Sequence, residues 1–298
     1  MKKGVLAVVA ASFLYGVMPV FTKRVLNEGM TSGALVFFRL LFAAIFSFIA
    51  LKATGADISV TKQQMVHMAV FGIIGFGATM AFLTVAYSLI PTGLATMLHF
   101  TYPLFVTLVM AAFGEKLSRA RLISCLCALA GLAMMADFSR LSVMGIVFAI
   151  VSGMTYACYV IANKKSSFAG LPGMVIVFYV SCFAATFFGL KAVVTKEFML
   201  PPNGKSLVLL MMIGLFCTVV TLFLLTYGIK TLGASKSSVL NMLEPVVSLI
   251  AGMIVYKESV SILGICGCIM VVVSGLVVAF DNGGEEKVKV HVNTTRYR

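Results

Sequence analysis

Leu98-His99-Phe100-Thr101-Tyr102-Pro103 and Leu240-Asn241-Met242-Leu243-Glu244-Pro245 decide the fold. Each lies inside an apolar run, Thr92 to Phe113 and Gly233 to Tyr256, long enough to cross a bilayer. Proline has no amide hydrogen, so the carbonyl four residues before it loses its helical donor. Those carbonyls belong to His99 and Asn241, whose side chains are also polar. Helix kinks at Pro103 and Pro245, with polar groups at the same depth, suit a cavity between helices and not a lipid-facing surface.

The rest of the chain matches this reading. Of its 298 residues 61% are hydrophobic, mean hydropathy is +1.07, and only 11% are charged, against about 25% in soluble domains. Ten apolar stretches reach or approach the about 20 residues a span requires: 4–26, 33–53, 65–89, 92–113, 120–137, 142–163, 172–194, 206–229, 233–256 and 261–280. The fold class is therefore an all-α polytopic membrane protein of ten transmembrane helices, with membrane lipid as an obligatory partner. The start, Met1-Lys2-Lys3, reads as the head of a retained first span, because the apolar run continues to Phe21 without a small-residue cleavage site.

The net charge of +13 does not indicate nucleic acid, because the cations stand singly at span ends and form no basic helix. They mark topology instead. With a cytoplasmic N-terminus, fifteen basic residues fall on the inner side and seven on the outer, with Arg39 inside a span. Positive-inside then puts both termini in the cytoplasm of a plasma-membrane protein. All seven cysteines lie in apolar stretches. Cys125 and Cys127 recur as Cys266 and Cys268, but residues two apart share no helix face, so small-residue packing is expected there and no metal site.

The sequence repeats itself. At an offset of 141, Gly4 falls on Gly145, Tyr15 on Tyr156 and Phe37-Phe38 on Phe178-Tyr179; a nearby offset brings Pro103 onto Pro245. This predicts a first five-helix repeat over 1–140, a second over 141–281, and a short polar, disordered cytoplasmic tail at 282–298. Five is odd, so the second copy enters the membrane from the other side. Such inverted repeats are a recurring basis of alternating access.

The chain resembles an EamA-type member of the drug/metabolite transporter superfamily over nearly its whole length. The resemblance is carried by Phe37-Phe38-Arg39-Leu40-Leu41, Tyr102-Pro103-Leu104-Phe105, Phe113-Gly114-Glu115-Lys116-Leu117-Ser118, Leu243-Glu244-Pro245-Val246-Val247 and Lys257-Glu258-Ser259-Val260-Ser261. It departs where the family's Trp-Gly in the first span is Tyr15-Gly16, and where Lys257 replaces glycine. The resemblance implies secondary transport, often export, of amino acids, related metabolites or drugs.

Within the spans, Glu244 is the leading binding residue. A carboxylate at span centre costs about 2.5–3.5 kcal/mol, so it must meet a wet cavity, a cation or a proton. Ser237, Asn241, Glu244 and Ser248 repeat at helical spacing, as do Ser152, Tyr156, Tyr159 and Asn163. Tyr15, His99, Tyr102, Tyr156, Tyr159, Asn241 and Glu244 are the expected substrate-binding set, the tyrosines offering aromatic walls with a hydroxyl tip. Glu244 and His99 are candidates for taking up a coupling proton or ion, the histidine by its titration near neutral pH. Arg39 either counter-charges Glu244 or an anionic substrate group, or braces a helix. Glu115 and Glu258 sit at span ends beside Lys116 and Lys257, and Ser118 and Ser261 are placed to cap the following helices.

The expected function is a secondary carrier exporting small metabolites such as amino acids or related amphipathic compounds. A passive channel or non-transporting scaffold is the alternative, with homodimerisation open. An intramembrane enzyme is less favoured: there is no HExxH, no paired span aspartates and no nucleophile elbow. No catalytic residue, metal or cofactor is expected.

Overall fold

The computed structural model describes residues 2–90, 92–115, 118–136, 141–256 and 261–280. The described elements are helical. They form α1 (Lys2–Asn27), α2 (Ser32–Ala53), α3 (62–89), α4 (92–112), α5 (Arg119–Met135), α6 (Val143–Lys165), α7 (Gly173–Val194), α8 (204–232), α9 (234–256) and α10 (Ile262–Phe280). Nine of these have the length and hydropathy to cross a membrane. The tenth, α5, has 17 residues and packs lengthwise on α10. The anticipated tail 282–298 lies outside the described residues, as do Lys116, Lys257 and Glu258.

Local chemistry sets the helix starts. Hydroxyl or amide side chains cap them by accepting from the third residue on: Thr31 from Ala34 at 3.3 Å, Thr61 from Gln64 at 3.2 Å, Ser142 from Gly145 at 3.4 Å and Asn203 from Ser206 at 2.8 Å. Ser118 and Ser261 do the same for Arg121 at 3.4 Å and Gly264 at 3.0 Å, as their positions implied. Gln64 returns the favour to the Thr61 amide at 2.8 Å, completing a capping box.

Four helices are interrupted. α4 breaks at Phe100 and Thr101, just before Pro103, and α9 passes through a tight 3-10 turn, Asn241–Leu243, before Pro245. The two freed carbonyls fare differently. That of Asn241 accepts from the Glu244 amide in the 3-10 turn, so it is not the orphan that the proline spacing alone implied. Among the described residues no backbone amide reaches the His99 carbonyl. α3 and α8 contain wider π turns, Phe71–Gly77 and Leu215–Val220, which nothing in the apolar pattern announced.

The two halves interlock rather than sit side by side. α2 packs along α7 and α5 along α10. α1 crosses to α8 and α9 of the second half, while α6 crosses to α3 and α4 of the first. The α5–α10 contact is a small-residue seam in which a Cβ on Gly131 would lie 2.6 Å from the Gly267 carbonyl oxygen.

The end loops are stitched in corresponding ways. After α1, the Thr31 hydroxyl donates to the Glu197 carbonyl, and Glu28 accepts from Ser206 and, at 2.9 Å, from Asn203. After α6, Gln64 donates to the Ser167 carbonyl at 3.4 Å, Tyr179 to the Ile58 carbonyl at 3.0 Å, and Lys230 to the Leu171 carbonyl. α2 starts beside the first set and ends beside the second, so α1 and α6 finish at opposite ends of the bundle.

Hydrogen bonds from Ser206 and then Asn203 hold the Glu28 carboxyl below the ordinary glutamate value of 4.5. A depressed carboxyl stabilises the fold above its ordinary value and stops doing so as pH falls through the folded one. Glu28→Gln should therefore lower the unfolding temperature slightly at pH 7. The gap to wild type should close as pH drops below 4.5, readable in paired melting curves.

Candidate functional site

The breaks in α4 and α9 meet at the centre, each against the first helix of the other half. In one crossing Ser12 of α1 donates to Asn241 Oδ1 at 3.1 Å. In the other, Ser152 of α6 lies 3.0 Å from His99 Nδ1. His99 and Asn241 occupy corresponding places in the repeat, but their serine partners do not: at the offset of 141 Ser12 falls on Gly153 and Ser152 on Ala11, so the two crossings are similar in kind and not residue by residue. Ser152 spends its hydroxyl proton on the Ala149 carbonyl at 2.6 Å. His99 Nδ1 is thus the donor to the serine oxygen, leaving Nε2 as acceptor in the neutral ring.

Both crossings are close. A Cβ on Gly153 would stand 2.6 Å from the His99 carbonyl oxygen, and one on Gly16 would stand 2.8 Å from that of Glu244. These two glycines allow the backbone of α6 and α1 to reach the broken turns.

Around this frame the expected binding residues converge. Asn241 Nδ2 donates to the Tyr102 hydroxyl at 3.1 Å and to Glu244 Oε2 at 3.2 Å. Tyr102 donates to the Ser238 carbonyl at 3.4 Å. Tyr156 meets Tyr102 edge-on with centroids 4.7 Å apart and stacks on Tyr159 at 6.2 Å, and His99 lies 5.6 Å from both Tyr102 and Tyr156. Tyr159 leans on Phe76 of the α3 π turn at 5.4 Å. Tyr15, Tyr102, Tyr156, Tyr159, His99 and Asn241 are all buried, whereas Glu244 keeps partial exposure in mid-bundle. The hydroxyls of Tyr15 and Tyr159 are buried without a hydrogen-bond partner, and buried polar groups are normally satisfied.

Arg39 lies close enough for its charge to act on both Tyr15 and Glu244. It makes no ion pair with Glu244 among the described residues. Its Nε donates to Thr218 Oγ1 at 2.8 Å and its Nη2 to the Cys217 carbonyl at 3.4 Å, both in the π turn of α8. Arg39 is thus buried and held against the interrupted turn of α8.

Two polar contacts differ from the linear spacing. Ser237 turns to α8 near Gly228, and its buried hydroxyl has no partner. Among the described residues, which do not include Lys116, Glu115 pairs with Arg121 at 3.3 Å and accepts from Ser235 at 3.1 Å. Sequence reasoning also passed over Ser12 and Thr218. Single small hydroxyls are ordinary in apolar helices, and only their opposite partners reveal their use.

The EamA-like transporter family profile matches the chain twice, over residues 2–136 and 143–280. An uncharacterised transporter of Archaeoglobus fulgidus is 24% identical over 284 residues, covering 94% of this chain and 97% of that protein. An S-adenosylmethionine uptake transporter of Rickettsia felis is 25% identical over 242 residues, covering 79% of this chain and 78% of that protein. A solved crystal structure superposes with a TM-score of 0.81 at 21% identity, covering 92% of this chain and 96% of that one, and so shares the fold. The relatives are named as transporters and not as enzymes, and they imply a small-molecule substrate and a multi-pass membrane location. The chain belongs to the EamA-like transporter family.

Proposed function

We propose that this protein is a secondary carrier of a small, amphipathic, amino-acid-like metabolite, working by alternating access between two inverted five-helix repeats, 1–140 and 141–281. The observation that carries this reading is Glu244. A glutamate at the centre of an apolar bundle, its carboxylate hydrogen-bonded to Asn241 and ringed by buried tyrosines, is arranged to receive a cationic group beside an apolar or aromatic body. The buried hydroxyls of Tyr15, beside Tyr156, and of Tyr159, beside Asn163 and Thr226, lack well-formed hydrogen bonds and are free to turn to a ligand's polar atoms. Glu244 and His99 are the candidate carriers of a coupling proton.

The inverted arrangement is supported by α1 and α6 finishing at opposite ends of the bundle, and by each broken helix packing on the first helix of the other half, α9 on α1 and α4 on α6. Two interlocked units that mirror each other can exchange conformations and open the shared centre to either side. The basic residues, fifteen inside against seven outside, support a carrier with both termini in the cytoplasm, which we place in the plasma membrane. Export is the direction the family resemblance implies. The Rickettsia felis relative, named for uptake, is the precedent for the opposite direction.

The test is counterflow in proteoliposomes. Vesicles preloaded with unlabelled amino acids, S-adenosylmethionine or other amino-acid-like cations should take up trace label of the same solute transiently and saturably. The sidedness of a pH jump then reports direction and coupling. Flux that rises linearly with concentration would instead mark a channel, and no flux with any of these solutes would leave a scaffold.

A further inference from the structure

On α6, the residues that point away from the tyrosine cluster line a lateral groove of about 460 Å³. Met154, Cys158, Ile161 and Lys165 stand on one face of the helix, and Ser152, Tyr156, Tyr159 and Asn163 on the opposite one, as 3.6 residues per turn requires. The groove is closed by Phe71 of α3 and by Phe105 and Val109 of α4. Its wall is thus almost wholly apolar, and it opens to the outside of the bundle, not to the centre.

One end is chemically different. Lys165 is exposed at the end of α6, with its Nζ 6.0 Å above the Phe113 ring. No carboxylate pairs with it among the described residues. Next to it Ser166 lines the groove with a buried hydroxyl that has no hydrogen-bond partner. The other groups at this end, among the described residues, include Lys164, Lys230 on the Leu171 carbonyl, His67, whose Nδ1 is 2.8 Å from Ser167 Oγ, and the Glu115–Arg121 pair, whose carboxylate also accepts from Ser235.

We propose that this groove seats one acyl chain of an anionic glycerophospholipid, with its phosphate on Lys165 and Ser166. Length and charge both favour that occupant. From Met154 to Lys165 the α6 wall runs about 16 Å at 1.5 Å per residue, close to the about 15 Å depth of one leaflet. A cation and an idle donor stand where the headgroup of such a chain would emerge. Because the groove lies behind α6, this lipid is a bound component of the bundle and not the transported solute.

Native mass spectrometry of the full-length protein tests this, using dioleoyl phosphatidylglycerol against dioleoyl phosphatidylcholine. One phosphatidylglycerol per chain should be retained, preferred about fivefold over the zwitterionic lipid, as one basic residue at the surface supplies. Lys165→Gln should bring the two lipids to parity. Cys158→Phe, which fills the groove, should reduce retention of both, while Leu126→Phe on the exposed face of α5 should change neither. Equal retention of the two lipids by the wild-type chain would overturn the proposal, as would a lipid-free dimer or indifference to Lys165→Gln. The wild-type comparison decides even where a variant fails to fold.

Discussion

Glu244→Gln abolishes saturable counterflow while the purified protein melts at or slightly above the wild-type temperature: this is the largest functional effect expected from a single side-chain change. Glutamine has the same shape and retains an oxygen for the Asn241 Nδ2 donor, now 3.2 Å from Glu244 Oε2. The packing against α1 therefore survives. What disappears is the capacity to carry a negative charge. A hydrogen bond to a charged partner contributes about 1.5–3 kcal/mol, so affinity for a cationic solute should fall about 10- to 100-fold. Stability should not fall, since a partly buried carboxylate is itself costly to maintain away from water. The measurements are ligand-induced thermal shift and counterflow on the same preparation. A variant that binds a confirmed solute with wild-type affinity would place the binding charge elsewhere.

Gly153→Ala is, at the central crossing, a large structural effect from the smallest addition. One methyl would lie 2.6 Å from the His99 carbonyl oxygen, and that atom is backbone, so no rotamer change relieves the clash. α6 or the broken turn of α4 must move, which also separates Ser152 from His99 Nδ1, now 3.0 Å apart. Overpacking of this kind costs about 1–3 kcal/mol, a fall of roughly 2–10 °C in unfolding temperature at this chain size, accompanied by loss of transport. Gly170→Ala is the control: its Cβ would meet nothing within 4 Å, and its melting temperature should not change. If both variants melt together, the crossing is looser than described.

The ten helices, nine of them long and apolar enough to span, were legible because bilayer length and apolar composition are one-dimensional properties. The two breaks were legible because Pro103 and Pro245 remove a donor at a known offset. Polar residues near those breaks then marked the centre, and Tyr15, His99, Tyr102, Tyr156, Tyr159, Asn241 and Glu244 do lie in one cluster. The partners could not be read in this way. Ser12 meets Asn241 and Arg39 meets Thr218 only because α1 and α2 reach across to the other half. Sequence spacing says which face a residue is on, but not which helix faces it. The π turns at Phe71–Gly77 and Leu215–Val220 were hidden for a related reason. One additional residue per turn leaves an apolar run unchanged in hydropathy. The Asn241 carbonyl shows the limit of a local rule, since the chain tightened by one residue and supplied the Glu244 amide in place of the missing donor.

Nearly every polar contact at the centre and at the loop ends joins an early residue to a late one: Ser12 to Asn241, Arg39 to Thr218, His99 to Ser152, Glu28 to Ser206. The ribosome delivers these in sequence, so the first five helices reside in lipid before their counterparts exist. During that interval an arginine, a histidine and several hydroxyls have only water defects or one another for company. Closing these contacts therefore has to await the second set of helices, so whole helices dock late in assembly. A cell's quality-control machinery would meet the chain before then, when its polar seam is bare.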